Sequence, residues 1–276
     1  RQALTFFLAL NAHGRTADAA NLGPGSEACF SFEAHIATGY GGYWLAYDTG
    51  THARHAEIVA EAKRQNKDLH IDTRHDDEFE YTEVTVYTPD HPGLFSKIAG
   101  AMALAGASVV DAKVMTLTNG MVLDMFWIQD AEGHAYAAKD RLKRLRKRIE
   151  NALSGRLHSA KELAEAQGSS LQKRAGVFKI PPRVLIDNKA SNRFTVIEVN
   201  ARDRPALLFS LANALFQSKV TVHSAHVATY GERAVDTFYI TDLIGGKIES
   251  KARLQTLERR LLEAAGGEVG EALERA

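Results

Sequence analysis

Between residues 69 and 265 the apolar positions recur first with period two and then with period 3.6, and the whole succession occurs twice. Leu69-His70-Ile71-Asp72 and Thr82-Glu83-Val84-Thr85-Val86-Tyr87 alternate like half-buried strands on either side of the polar stretch 75–80, which predicts a hairpin. Val184-Leu185-Ile186-Asp187 and Phe194-Thr195-Val196-Ile197-Glu198-Val199 predict a second hairpin. A helical stripe follows each one. Leu94, Ile98, Ala101, Met102 and Ala105 form the first, ended by Gly106, and Leu207, Leu211, Ala214 and Leu215 form the other. Two more strands come next, 108–117 and 121–129, turning at Thr118-Asn119-Gly120 and matched by 221–230 and 233–241. A last helix carries Leu142, Leu145, Ile149 and Leu153 on one face, matched by Leu254, Leu257, Leu261 and Ala265.

The repetition extends to individual residues. Asp90-His91-Pro92-Gly93-Leu94 returns as Asp203-Arg204-Pro205-Ala206-Leu207, an offset of 113 (203 − 90) that also pairs Val109 with Val222 and Thr116 with Thr229. After one deletion the offset is 112 (236 − 124), pairing Asp124 with Asp236, Phe126 with Phe238 and Leu145 with Leu257. A duplicated domain of about 70 residues is implied. Each copy reads strand, strand, helix, strand, strand, helix. The class expected is α+β: two tandem ferredoxin-like (βαββαβ-type) modules, each with a four-stranded antiparallel sheet and both helices on one face. The usual last strand is missing after the second helix, so the strands around Ile71 and Ile186 are expected to take its place. The expected domains are a mostly helical segment at 1–66, the first module at 67–153, a linker at 154–182 that is helical through 160–167, the second module at 183–265, and a polar tail at 266–276.

Composition narrows the function classes. In 276 residues, 45% apolar and 25% charged positions suit two ordinary globular domains, and a formal net charge of zero gives no pull toward nucleic acid or anionic membrane. No window approaches 18 apolar residues, and the single cysteine, Cys29, excludes an internal disulfide and suits a reducing, cytoplasmic setting. The chain starts without Met, which suggests part of something longer. No nucleophile–base–orienter set and no phosphate loop appears, so no catalytic residue is assigned. The strand Val122-Leu123-Asp124-Met125-Phe126-Trp127 lacks the pattern of an RNA-binding sheet. A helix capped by Thr49 or Thr51 is expected to run to about residue 65, with His52 and His55 as surface histidines. Without a carboxylate or third histidine at ligand spacing, no metal is expected there.

The run Val84-Thr85-Val86-Tyr87-Thr88-Pro89-Asp90-His91-Pro92-Gly93-Leu94-Phe95-Ser96-Lys97-Ile98-Ala99-Gly100 resembles an ACT domain, the small βαββαβ module that binds amino acids in metabolic regulators. Val235-Asp236-Thr237-Phe238-Tyr239-Ile240-Thr241-Asp242 is similar to the tandem ACT pair at the C-terminus of bacterial protein-PII uridylyltransferase/uridylyl-removing enzymes. Gly42-Tyr43-Trp44-Leu45-Ala46-Tyr47-Asp48, followed by Thr51-His52-Ala53-Arg54-His55, resembles the segment before that pair. What the resemblance implies is a nitrogen sensor. Such enzymes attach UMP to the PII protein when glutamine is scarce and remove it when glutamine is plentiful, with the ACT pair reading glutamine. Their nucleotidyltransferase and HD phosphohydrolase domains, which would use magnesium, precede the pair. The motifs of neither occur here, the only His-Asp dipeptide being His75-Asp76. The partners implied are glutamine, the enzyme's own catalytic domains and PII, and no cofactor is expected in this chain. The alternative is an ACT-pair sensor of another enzyme, or one acting alone.

An amino acid offers a carboxylate, an ammonium and a side chain. A turn leading into a helix N-terminus presents amides and a positive dipole end to the carboxylate. The ligand-binding candidates are therefore Asp90, His91, Gly93 and Leu94 in the first copy and Asp203, Arg204, Ala206 and Leu207 in the second. Gly93 admits a ligand close to the backbone, while Ala206 makes the second site tighter or altered. The two aspartates either accept from the ligand or cap their helices. In paired ACT domains one module's turn faces the other's second strand, which adds Val109, Val110, Val222 and His223. The basic run 139–148 reads as the solvated face of a helix, or as a surface for PII or an acidic catalytic domain.

Overall fold

A computed structural model describes Tyr47 and residues 49–76, 78–117, 119–157, 161–163 and 181–266. The chain partitions into two compact units. One runs to Asp72 and adds Thr85–Asp90 and Met115–Asp124, and the other takes Thr73–Val84, His91–Val114 and everything from Met125.

Helix α1 (Thr49–Arg64) opens the described chain, within a residue of the expected span. Its histidines depart from the expectation. His52 is 3% exposed and His55 0%, and the Tyr47 ring meets them edge-on at 6.3 and 5.6 Å. They share an inward face with Ala56, Val59 and Ala62, so the helix is polar on average but apolar on the side that is covered. Among the described residues no group of three or more metal-ligating side chains forms, and no helix is long and apolar enough to cross a membrane.

The first repeat then supplies β1 (His70–Asp76), β2 (Tyr81–Pro89), α2 (Leu94–Leu104), β3 (Ser108–Lys113), β4 (Met121–Gln129) and α3 (Lys139–Leu153). The second supplies β5 (Arg183–Asp187), β6 (Thr195–Arg202), α4 (Leu207–Gln217), β7 (Val220–Tyr230), β8 (Arg233–Asp242) and α5 (Lys251–Gly266). Of the helix expected at 160–167, residues 161–163 are described and are helical. Residues 1–46 of the expected segment 1–66, residues 158–160 and 164–180 of the expected linker 154–182, and residues 267–276 of the expected tail 266–276 lie outside the described residues. On α3, Leu145, Ile149 and Ala152 are buried while Lys143, Arg144, Arg146 and Lys147 are exposed.

The strand order is β1-β2-β4-β3-β7-β8-β6-β5. The first strand of each repeat, β1 around Ile71 and β5 around Ile186, takes an outer position, as its expected role requires. The expectation of separate four-stranded sheets is corrected: β3 and β7 pair antiparallel, Asp111 opposite His226, Ala112 opposite Ala225 and Lys113 opposite Ser224, giving one eight-stranded sheet. Pairing covers two strand edges that would otherwise present open backbone groups. On β6 the alternation is complete, with Thr195, Ile197, Val199 and Ala201 buried and the residues between them half-buried. Helix α2 packs on α3 and α4, and α4 packs on α5.

Candidate functional site

Each repeat delivers its Asp-x-Pro turn to a helix start in the same way. Gly93 and Ala206 both occupy the N-cap position in the left-handed region, with φ of 77° and 63°, and neither helix receives a side-chain cap. Only glycine takes that conformation without cost; at Ala206 it is strained. The Asp90 amide donates to the Gly120 carbonyl and the Asp203 amide to the Glu232 carbonyl, both at 2.9 Å, so each turn is pinned to the tip of the hairpin that follows. The Leu94 and Leu207 amides donate to the carbonyls of His91 and Arg204, both at 3.1 Å. Asp90 and Asp203 thus do not cap their helices. Asp90 Oδ2 instead lies 3.4 Å from the Thr116 hydroxyl.

A carboxylate that sequence reasoning did not assign to a site lies in each repeat. Asp124 is 0% exposed and Asp236 1%, and neither Asp124 Oδ2 nor Asp236 Oδ1 has a hydrogen-bond partner among the described residues. Burial pushes the Asp124 carboxyl up to about 8. The Met115 amide, donating to Oδ1 at 3.2 Å, opposes the rise, and the negative charge of Asp90 adds to it. Burial likewise pushes Asp236 to about 7, with the charge of Asp203 adding. The available signal was an acidic residue inside the apolar runs Val122-Leu123-Asp124-Met125-Phe126 and Ala234-Val235-Asp236-Thr237-Phe238.

The two turns differ in what approaches them. At Gly93 a Cβ would lie 3.3 Å from Phe216 Cε2, so the close neighbour there is an aromatic ring of α4. At Ala206, Leu163 and Phe209 form a buried cluster against which Ala206, Ala103 and Leu104 pack. His91 Nδ1 is 3.3 Å from the Pro92 carbonyl, whereas Arg204 donates to the Ala264 carbonyl at 2.7 Å and to the Ser210 hydroxyl at 3.2 Å.

Val109, Val110, Val222 and His223 lie on the strands of the β3–β7 seam. The register shifts between Val109 and Asp111 and again between Val222 and Ser224, which makes Val110 and His223 matched bulge residues. The His223 carbonyl accepts from the Val114 amide at 3.0 Å. Its ring is 4.9 Å from Phe194, with Nε2 2.9 Å from the Thr241 hydroxyl. Burial, then the positive charge of Arg193, lowers His223 to about 4, so it is neutral at pH 7. Three residues on, His226 Nδ1 meets Asp111 Oδ1 at 2.9 Å, and that hydrogen bond raises the imidazole above its usual value.

No protein-family model matches the chain. It is 47% identical over 232 residues to a bifunctional uridylyltransferase/uridylyl-removing enzyme of Gluconobacter oxydans, covering 84% of this chain and 24% of that protein. The Rhodospirillum rubrum enzyme of the same name is 44% identical over 254 residues, 92% of this chain and 27% of its own length. That of Novosphingobium aromaticivorans is 52% identical over 184 residues, 67% and 20%. The chain therefore spans about a quarter of the length of these curated relatives. A solved structure of an unknown protein from Galdieria sulphuraria covers 67% of this chain and 91% of its own, at 13% identity and a TM-score of 0.23, too distant to bear on the fold.

Proposed function

The chain belongs, as one region of a longer protein, to the family of bifunctional uridylyltransferase/uridylyl-removing enzymes, and we propose that this region is its tandem ACT, glutamine-sensing part. In this reading it controls uridylylation and deuridylylation of PII. The chemistry belongs to catalytic domains elsewhere in the enzyme, where magnesium would also act, and this region holds no cofactor of its own.

The observation that carries the proposal is the uncapped helix start after each Asp-x-Pro turn. First-turn amides without a side-chain acceptor suit a ligand carboxylate. An aspartate that does not cap its helix keeps a carboxylate oxygen for the ligand's ammonium or amide. Phe216 supplies a route of transmission. A ligand settling at the first turn displaces or clamps a ring that belongs to α4, and so shifts α4 against α2. Coupling of about 1–3 kcal/mol suffices for regulation of this kind.

Isothermal titration calorimetry with glutamine, glutamate and asparagine tests the reading. Saturable heat with glutamine alone, in the micromolar to millimolar range usual for a ligand of about ten heavy atoms, is expected. Asp90→Asn should weaken it and Gly93→Val abolish it, with the fold checked by circular dichroism. Equal heats from glutamate, or none from any of the three, would overturn glutamine sensing by this chain.

A further inference from the structure

The outer strands of the sheet are unlike each other. β1 is dressed with polar interactions: Arg54 pairs with Asp72 at 3.1 Å, Arg146 donates to the Thr73 hydroxyl at 3.0 Å, and Arg74 and His75 are exposed. β5 is five residues, Arg183-Val184-Leu185-Ile186-Asp187, and among the described strands it pairs with β6 alone. Opposite Val199 and Ile197 of β6, Val184 and Ile186 lie on the core side and are half-buried. Leu185, opposite Glu198 on the other side, is 62% exposed. An outer strand with an exposed leucine at its centre is an open template for another strand.

The order of residues says which strand fits. If β5 is laid antiparallel to itself about Leu185, Arg183 falls opposite Asp187 of the second copy, Val184 opposite its Ile186, and Leu185 opposite its Leu185. Opposed residues in an antiparallel pair share a face. The outer face would then carry two Arg–Asp pairs flanking a leucine pair, and the core face two Val–Ile pairs. A shift of one residue would put leucine opposite valine or isoleucine of the wrong face and separate the charges. Pro181 and Pro182, just before the strand, donate no amide and confine pairing to these five residues.

We propose that β5 is a self-complementary docking edge through which a second copy of this chain adds in register, continuing the sheet across a two-fold axis. With five residues a side, the seam is short and the association reversible.

Sedimentation velocity over a concentration series of the 276-residue chain tests this. The wild type should show a monomer–dimer equilibrium. Arg183→Asp places two aspartate pairs across the axis and Asp187→Arg two arginine pairs, and each should weaken the dimer by about tenfold or more. Mixing the two variants restores both attractive pairs, so the mixture should dimerise like the wild type although neither variant does alone. Circular dichroism of each variant separates this from misfolding, because misfolded chains would not be rescued by mixing. A wild type that stays monomeric, a dimer indifferent to both reversals, or a mixture that fails to associate would each overturn the proposal.

Discussion

The two Asp-x-Pro turns have the same backbone and different surroundings. The first places glycine in the left-handed position and is approached by the Phe216 ring, at 3.3 Å from where a Cβ would be. The second places alanine there, and the alanine packs on Leu163 and Phe209. The first is tied down only lightly by its variable residue, His91, whereas Arg204 fastens the second to the end of α5. The carboxyls behind them differ as well. β3 ends at Lys113, which frees the Met115 amide to donate to Asp124; β7 runs on to Tyr230, with Val227 opposite Asp236 in the ladder. A duplicated module has thus kept the turn geometry in both copies and closed one of them.

The largest expected effect concerns the buried carboxyls. Each has a folded pKa above the ordinary 3.8, so the folded state holds more protons than the unfolded state between that value and the raised one. The stability they contribute is full below about pH 4 and is lost progressively as pH rises, to about 8 for Asp124 and about 7 for Asp236. Asp124→Asn should therefore stabilise the protein at pH 8 by on the order of a few kcal/mol, and Asp236→Asn by less, in urea unfolding followed across pH. Stability independent of pH from 5 to 8 in the wild type would refute both buried titrations.

Next in size is Leu163→Ala. Removing the plug beside Ala206 should cost about 2–3 kcal/mol in denaturant unfolding. If closure is what separates the turns, it should also increase hydrogen exchange in the second turn and leave the first unchanged. Smaller again is the exchange of the two N-cap residues. Gly93→Ala forces a Cβ into the left-handed region against Phe216 and should destabilise by about 1–2 kcal/mol, while Ala206→Gly relieves the same strain and should stabilise by up to about 1 kcal/mol. Effects of the same sign at both positions would break the comparison.

The smallest effect belongs to the seam. His226 is raised by Asp111, so the stability of that pair is present below the usual imidazole value of 6.5 and is lost as pH rises through the higher folded value. The pair is partly exposed, which limits it to below about 1 kcal/mol. An NMR titration should show the His226 midpoint fall in Asp111→Asn while His223, which faces Thr241 and Phe194, keeps its low value.

Much of the architecture was legible because it is written in short periods. The alternation Thr195, Ile197, Val199 marks β6 by itself, and the spacing of Leu145 and Ile149 marks the buried side of α3. The turns were legible too, since proline and glycine act on their own backbone. The surface reading of His52 and His55 failed because a polar helix looks alike whether or not its histidine side is covered. The site was half legible. Asp90 and Asp203 stood out through the repeated Asp-x-Pro turn; Asp124 and Asp236 also repeat, but nothing local says that folding will bury them and leave one oxygen of each without a hydrogen-bond partner among the described residues. Phe216 and Leu163 carried no signal at all, because what matters is the distant residue each one meets.

By itself, then, the sequence determined the duplicated order of strands and helices, the two turns, and the placing of the extra strand at the edge of each repeat. These depend on interactions among neighbours in the chain and on the chemistry of single residues. The tertiary structure alone decided that β3 and β7 merge two sheets into one, that an aspartate in each repeat is sealed from water, and that one turn meets Phe216 while its twin is plugged by Leu163. Those outcomes join residues far apart in the chain, from 43 positions for Leu163 and Ala206 (206 − 163) to 123 for Gly93 and Phe216 (216 − 93), and local periodicity does not say which strand edge, carboxyl or ring a distant segment will meet.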